Sequence, residues 1–179
     1  MQQSEFIRIP KDRIGALIGP KGLTKKEIEQ SLKVRLAIDS ETGEVEVIRL
    51  EKTPAVNLLT ALNVIKAIGR GFSWEKAGSL LNENVFFELI DLRELFGKSE
   101  KKIHRKKARI IGSEGKAREK IEIATGVFIS VYGHSIGLIG NLEALEKARQ
   151  VIEALLAGKR HSTAFKLLGG EKEFEEWEI

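Results

Sequence analysis

The chain has 179 residues, of which 42% are hydrophobic and 31% are charged, and its formal net charge is +4 at pH 7. This length accommodates one domain or two small ones, and the mildly basic balance permits an anionic partner without requiring one. Cysteine is absent, which excludes disulfides, thiolate metal sites and cysteine nucleophiles. His104, His134 and His161 are far apart in the sequence, so we predict neither a metal site nor a cofactor.

The N-terminal residues predict no export or membrane insertion. They contain no basic segment followed by an apolar core, which predicts that the chain lacks a signal peptide. The longest apolar-rich run, residues 56–68, is too short and too polar to cross a bilayer. Both observations favour a cytoplasmic protein.

The first half of the chain begins with a predicted strand and two predicted helices. Pro10 lacks a backbone donor and marks the end of an extended segment, residues 6–9. Asp12 is a suitable N-cap for a helix that ends at Ile18. Helical spacing of apolar residues resumes over residues 23–33.

Two strands and two further helices complete this half. Alternating apolar residues predict a strand over residues 34–38, and a turn at residues 41–44 leads into a return strand over residues 45–50. Pro54 is placed in the first turn of a longer amphipathic helix, and a shorter helix follows over residues 74–81. The predicted order is therefore β-α-α-β-β-α with an appended helix.

The second half repeats this order after a longer, basic insertion. Residues 85–90 are strand-like, and they are followed by a helical turn at residues 92–96 and a basic helix over residues 98–111. Ile121 then corresponds to Ile28, and the apolar spacing of the first half returns.

The remaining elements of the second half match the end of the first. A strand at residues 136–139 precedes a helix for which Asn141 is a good N-cap, and residues 162–168 match the appended helix. A repeat over nearly the whole chain predicts two copies of one fold, in domains at residues 1–82 and 83–179. The second domain includes the basic helical insertion and an acidic C-terminal tail.

A Gly-x-x-Gly turn occurs at the same place in each copy, as Gly19-Pro20-Lys21-Gly22 and Gly112-Ser113-Glu114-Gly115. Glycine has no Cβ, so it permits positive φ and lets the backbone approach a phosphodiester closely. The N-terminus of the following helix supplies unpaired N–H groups and a partial positive charge. We therefore predict two phosphate-binding turns. Residues 137–140 also fit the motif, but they lie between a strand and a helix and are predicted to form an ordinary turn.

The residues around both turns resemble the start of a type I K-homology (KH) domain. The first turn follows Arg13-Ile14-Gly15-Ala16-Leu17-Ile18, and the second follows Arg109-Ile110-Ile111 and precedes Thr125-Gly126. The resemblance implies an α+β fold with two tandem type I KH domains, each a three-stranded sheet packed on helices, and appended C-terminal helices. In such domains the turn clamps about four nucleotides of RNA backbone while the bases lie in an adjacent apolar groove.

The tandem arrangement, the basic insertion and the short C-terminal helices are similar to the archaeal Dim/Pno (partner of Nob) family of small-subunit rRNA processing factors. The resemblance implies a non-catalytic RNA-binding adaptor that recognises single-stranded rRNA near the 3′ end of 16S rRNA. It implies a role in pre-rRNA processing and small-subunit biogenesis, with a link to translation initiation. The implied partners are this RNA, a Nob-type endonuclease and the alpha subunit of translation initiation factor two.

The charges around the two turns suggest which copy binds RNA. Lys21 favours a phosphate at the first turn, whereas Glu114 would repel one at the second. The helix before the second turn is nonetheless far more basic, so we predict that the second copy is the main RNA site. The candidate RNA-binding residues are the two turns, nearby cations and three apolar residues for which the sequence allows either a groove or a core position: Gly19, Pro20, Lys21, Gly22, Gly112, Ser113, Glu114, Gly115, Arg13, Lys25, Arg105, Lys106, Lys107, Arg109, Lys116, Arg118, Ile14, Ile110 and Ile129.

Two other functions stay open on the sequence. One is an exosome- or nuclease-associated RNA-binding subunit, and the other is a protein-interaction scaffold whose KH folds have lost RNA binding. The sequence contains no Walker A motif and no serine-centred nucleophile elbow, and its carboxylates are scattered along charged helices. We therefore predict that the protein is not an enzyme.

Overall fold

The structure is a computed structural model, and it describes residues 3–169. The chain divides into two compact units, Met1–Phe87 and Glu88–Ile179. Each unit contains a three-stranded sheet and helices, which confirms the predicted α+β class with two copies of one fold. The acidic tail predicted at residues 171–179 lies outside the described residues.

The first unit has the predicted β-α-α-β-β-α order. β3 is the central strand and pairs antiparallel with both neighbours, so the sheet order is β1-β3-β2. Leu36 lies opposite Val47, and both side chains are buried in the core. A short 3-10 turn over Pro20–Gly22 separates the first two helices. The elements are β1 (Ser4–Arg8), α1 (Lys11–Ile18), α2 (Leu23–Leu32), β2 (Val34–Ile38), β3 (Glu44–Arg49), α3 (Ala55–Gly69) and α4 (Trp74–Ala77).

The second unit repeats this topology with one additional helix before its turn. The sheet order is β4-β6-β5, and a 3-10 turn over Ser113–Gly115 again joins two helices. Its core includes Ile121, Val127 and Ile136, which are fully buried. The elements are β4 (Phe86–Asp91), α5 (Leu92–Phe96), α6 (Glu100–Ile111), α7 (Lys116–Thr125), β5 (Phe128–Tyr132), β6 (Ser135–Gly140), α8 (Leu142–Leu156) and α9 (His161–Phe165).

Three local predictions are wrong. The N-cap of α1 is Pro10, so Asp12 lies inside the first turn of the helix. Its negative charge there still interacts favourably with the positive end of the helix dipole. The basic helix α6 begins at Glu100, because the Ser99 hydroxyl accepts a hydrogen bond at its N-terminus. Residues 137–140 lie inside the buried strand β6 rather than in a turn.

The edge strands β2 and β5 each have one backbone amide that donates a hydrogen bond to a glutamate of the preceding helix. Glu29 Oε1 accepts from the Leu36 N–H at 2.8 Å, and Glu122 Oε1 accepts from the Ile129 N–H at 2.7 Å. In both cases the glutamate precedes the amide by seven residues, so the bond is part of the repeat. It fixes α2 to β2 in the first domain and α7 to β5 in the second.

Glu29→Ala should lower the free energy of unfolding by about 1–2 kcal/mol, because the partly buried Leu36 N–H would lose its acceptor. Glu29→Gln should cost less, since its amide oxygen can still accept. The matched control is Glu27→Ala, an exposed position on the same helix, which should change stability by less than about 0.5 kcal/mol. Urea unfolding measures all three variants, and equal costs at Glu27 and Glu29 would contradict the role of the carboxylate.

Candidate nucleic-acid interface

The two Gly-x-x-Gly turns have the same backbone conformation. Gly19 and Gly112 have φ/ψ angles of 74°/175° and 72°/−178°. Gly22 and Gly115 are left-handed, with φ of 73° and 79°. The residue before each of these second glycines also has a positive φ, of 52° in both copies. The prediction that the glycines supply positive φ is therefore confirmed.

The first glycine of each turn also packs closely against the next helix. A Cβ built on Gly19 would lie 2.2 Å from Thr24 Oγ1, and a Cβ built on Gly112 would lie 2.5 Å from Ala117 Cβ. A Cβ on the second glycine of either turn would meet no heavy atom within 4 Å. The first glycine therefore lets the turn pack closely against the helix, whereas the second supplies only the left-handed conformation.

The side chains between the glycines face solvent in both domains. Pro20, Lys21, Ser113 and Glu114 are all exposed, and so is Lys116, the first residue of α7. No side chain caps the N-terminus of α2 or α7, so the first backbone N–H groups of these helices can bind an anion. Within the turns themselves, Pro20 has no backbone N–H, whereas Ser113 at the same position of the second turn has one.

Arg109, a predicted RNA contact, instead caps the C-terminal end of α8. Its Nε donates to Leu155 O at 2.9 Å, and its Nη2 donates to Lys159 O. The last carbonyls of a helix have no partner within the helix and carry partial negative charge, so a cation stabilises them. Arg109 is therefore engaged in the fold of the domain.

Arg13 makes the corresponding contacts in the first domain. Its Nε donates to Ile68 O at 2.8 Å, and its Nη2 donates to Phe72 O at 2.8 Å. Ile68 is the penultimate residue of α3, as Leu155 is of α8. Both domains thus use an arginine from the helix before the turn to cap the helix that ends the fold.

Two further cations of α6 are also directed at backbone carbonyls. Lys106 Nζ donates to Leu156 O and lies 4.5 Å from the centre of the Phe96 ring. Lys107 Nζ donates to Gly133 O, in the turn between β5 and β6, at 2.8 Å. These contacts fix α6 within its domain and use the ammonium groups that the sequence assigned to RNA.

The other predicted cations differ in how accessible they are. Arg118 Nε lies 3.9 Å from Glu122 Oε2, one turn later in α7. Lys25 is half-buried on α2. Arg105 and Lys116 are exposed on either side of the second turn. Of the predicted cations of the second domain, these two are the most accessible to a ligand.

The short helix α9 supports the two helices that flank the second turn. His161 Nε2 lies 2.8 Å from Arg109 O, and the Lys120 ammonium lies 4.6 Å from the centre of the Phe165 ring. Burial of its charged group lowers the pKa of Lys120. Sequence reasoning missed these contacts because they join residues about 45 to 52 positions apart.

The three apolar candidates present almost no surface to a ligand. Ile14, Ile110 and Ile129 are 5%, 0% and 3% exposed. The sequence allowed either a groove or a core position for such residues, and in this structure they are core residues. They stabilise the two domains by packing.

The open strand edges are a further part of the site that the side-chain pattern does not reveal. β2 and β5 each pair with one neighbour only, so alternate backbone groups of each strand point away from the sheet. One of these groups is held by Glu29 or Glu122, respectively. Backbone donors and acceptors at a strand edge can form hydrogen bonds with base edges, as single-stranded RNA recognition requires.

Residues 3–169 hold no candidate metal centre and no candidate membrane span. Within that range, no three His, Asp or Glu residues are arranged to hold a metal ion. The helices α3 and α8 have 15 residues each, and none of the described helices is long and apolar enough to span a bilayer.

Family comparisons identify both halves of the chain as KH domains. Residues 4–66 match the model of the KH domain. Residues 86–173 match the model of the second KH domain of Pno1 proteins, which is described as a eukaryotic-type KH domain (KH-domain type I). The KH domain-containing protein MJ0443 of Methanocaldococcus jannaschii is 39% identical over 180 residues, which covers 97% of this chain and 78% of the relative.

Solved structures agree with this result. Dim2p from Pyrococcus horikoshii is 42% identical, with a TM-score of 0.86 over 93% of this chain and 98% of that one. APE0754 from Aeropyrum pernix, described as a protein of unknown function, is 38% identical, with a TM-score of 0.89 over 94% and 89% of the two chains. The a/eIF2alpha-aDim2p-rRNA complex from P. horikoshii contains a chain 42% identical to this one, with a TM-score of 0.87 over 94% and 93%. The chain therefore belongs to the archaeal Dim2/Pno1 family of tandem KH-domain, rRNA-processing proteins.

Proposed function

We propose that this protein is a non-catalytic adaptor that binds single-stranded rRNA through its second KH domain during small-subunit maturation. The observation that carries the proposal is the second turn, Gly112 to Gly115. It presents the uncapped N-terminus of α7 with the exposed cation Lys116, and the exposed Arg105 lies earlier in the chain, on α6. The positive end of a helix and its free N–H groups favour a phosphate at this place.

The open edge of β5 completes the proposed RNA site. Glu122 holds α7 against this strand, so the turn and the strand edge have a fixed relation to each other. A strand of RNA with its backbone at the turn would direct its bases towards the edge, where main-chain groups can form hydrogen bonds with them. Recognition would depend on the backbone clamp and on base edges more than on aromatic stacking.

One solved relative supports a finer proposal about the RNA and one of the partners. In the P. horikoshii complex, aDim2p is assembled with a/eIF2alpha and rRNA. By analogy we propose that this chain binds near the 3′ end of 16S rRNA and contacts the alpha subunit of translation initiation factor two. We further propose that it works with a Nob-type endonuclease, which would supply the cleavage step, in the cytoplasm.

The two turns should contribute unequally to RNA binding. Replacing Ser113 and Glu114 with Asp adds one negative charge to the second turn, and we expect it to weaken binding about tenfold, as one close repulsive contact would. Replacing Pro20 and Lys21 with Asp changes the charge of the first turn by more, yet we expect a smaller effect. Fluorescence anisotropy with a short RNA that matches the 3′ end of 16S rRNA measures both affinities.

A scrambled RNA of the same length is the control for sequence recognition. The affinity should fall steeply as salt is raised, because several phosphates would be neutralised. A larger loss at the first turn would reverse the ranking of the two domains. Unchanged affinity in both double variants would contradict the proposed clamp.

A further inference from the structure

The cations of α6 divide into two sets with different partners. The set in its second half, Lys106, Lys107 and Arg109, is engaged with backbone carbonyls. The set in its first half, which we call the outer cations, consists of Lys101, Lys102 and Arg105, all of them exposed. The sequence pattern assigned RNA binding mainly to the set in the second half of the helix. In the structure, the outer cations are the ones that remain accessible to a ligand.

The outer cations lie away from the core and in line with the second turn. The core-facing residues of α6 are Ile103 and Ile110. At 100° per residue, Lys101 and Arg105 lie on the opposite side of the helix. α6 ends directly at Gly112, so Lys101 is roughly 15 Å along the helix axis from the turn.

Among residues 3–169, no carboxylate forms an ion pair with this surface. The one acidic residue of α6, Glu100, forms an ion pair with Arg93 of the preceding helix at 2.8 Å. In the described structure no hydrogen bond or ion pair joins the outer cations to an acidic side chain. The outer cations therefore present a positive surface on the first half of α6, the helix that ends at the turn.

We propose that the outer cations of α6 bind the phosphate backbone of RNA nucleotides beyond those held at the Gly112–Gly115 turn. The inference rests on the proposed function and extends its binding site along the helix. Arg and Lys that neutralise phosphates supply affinity without base specificity. The surface therefore lengthens the bound RNA segment and leaves sequence recognition to the strand edge.

An RNA backbone fits this surface better than a protein partner does. Protein interfaces have buried cores in which aromatic and apolar residues provide most of the binding energy. The exposed residues of this half of α6 include the three outer cations and the imidazole of His104, and no large apolar side chain. Its direct continuation into a turn of the phosphate-binding type also favours a nucleic acid.

The test compares a short RNA with a long one. Wild-type protein should bind an RNA of about twelve nucleotides more tightly than one of about four, because only the longer RNA reaches beyond the turn. The variant K101Q/K102Q keeps helix-forming side chains and removes two charges. It should bind the short RNA like the wild type and the long RNA about fivefold to thirtyfold more weakly. For the long RNA, the slope of log affinity against log salt concentration should be about 1.4 less negative for this variant than for the wild type.

The matched control removes two charges from the same unit at other exposed positions. K147Q/K166Q should leave the affinity for both RNAs within about twofold of the wild type. A K101Q/K102Q variant that binds the long RNA as tightly as the wild type would overturn the inference. Equal losses of affinity in both double variants would also overturn the inference, because they would show that binding depends only on the net charge of the protein. If the short RNA does not bind wild-type protein, the proposed clamp at the turn fails, and that result is distinguishable from the first.

Discussion

Gly112→Ala should destabilise the second domain by roughly 2–5 kcal/mol and abolish tight RNA binding. The φ/ψ angles of 72°/−178° lie in a region that only glycine occupies readily, which costs another residue about 1–3 kcal/mol. The new methyl group would also lie 2.5 Å from Ala117 Cβ and 2.8 Å from Ala117 N, and overpacking of this kind costs about 1–3 kcal/mol. Either the turn or α7 must move, and the phosphate site is lost with that movement.

Gly115→Ala is the matched control for this prediction. Its φ of 79° is left-handed, which costs alanine about 1–2 kcal/mol, but its added Cβ would meet no heavy atom within 4 Å. Hydrogen exchange at the amides of β5 reports on the stability of the second domain, and RNA titration reports on the site. The larger loss should occur at position 112 in both measurements. Equal losses at the two glycines would show that close packing of the turn against α7 has no special role.

Arg109→Gln should lower stability by about 2 kcal/mol while leaving the RNA affinity of the folded protein within about twofold of the wild type. The guanidinium donates to Leu155 O and Lys159 O, and its loss leaves carbonyls at a helix end without their charged donor. Because the same side chain is occupied by these bonds, we expect it to contribute little to phosphate binding. Thermal unfolding and RNA titration of the variant measure the two effects separately.

Arg105→Gln should give the opposite result, although it is only four residues away on the same helix. Its side chain is exposed, so its loss should change stability by less than about 0.5 kcal/mol. We expect RNA binding to weaken by about threefold, the value of one exposed charge contact. If both variants lose RNA affinity alike, the division of α6 into two sets of cations is wrong.

The two glycine turns and the strands that follow them could be predicted from local sequence. Alternation of apolar residues at Val34 and Leu36 has the two-residue period of a strand, and the same pattern at Val127 and Ile129 locates its copy. Both strands form as expected, with one face in the core. Local periodicity was enough to predict these strands, because successive side chains of a strand point to opposite faces of the sheet and only one face is buried.

The use of each cation could not be predicted in this way. Lys106 and Arg109 look like phosphate ligands in the sequence, but their acceptors are carbonyls 46 to 50 residues later in the chain. Only the packing of α6 against α8 brings these atoms together. The same holds for Ile110, whose groove and core alternatives differ only in what covers it, and the structure buries it completely.

The glutamate bonds at Leu36 and Ile129 have a consequence for behaviour at high concentration. The edge of a sheet is a template to which strands of other molecules can add, and this is a common route to aggregation. Glu29 and Glu122 occupy one main-chain donor on the edges of β2 and β5, respectively, and place a carboxylate where an incoming strand would have to pair. A further strand would have to displace the carboxylate, whereas a nucleotide needs only the groups beside it. The edge can thus remain open to nucleic acid while resisting self-association.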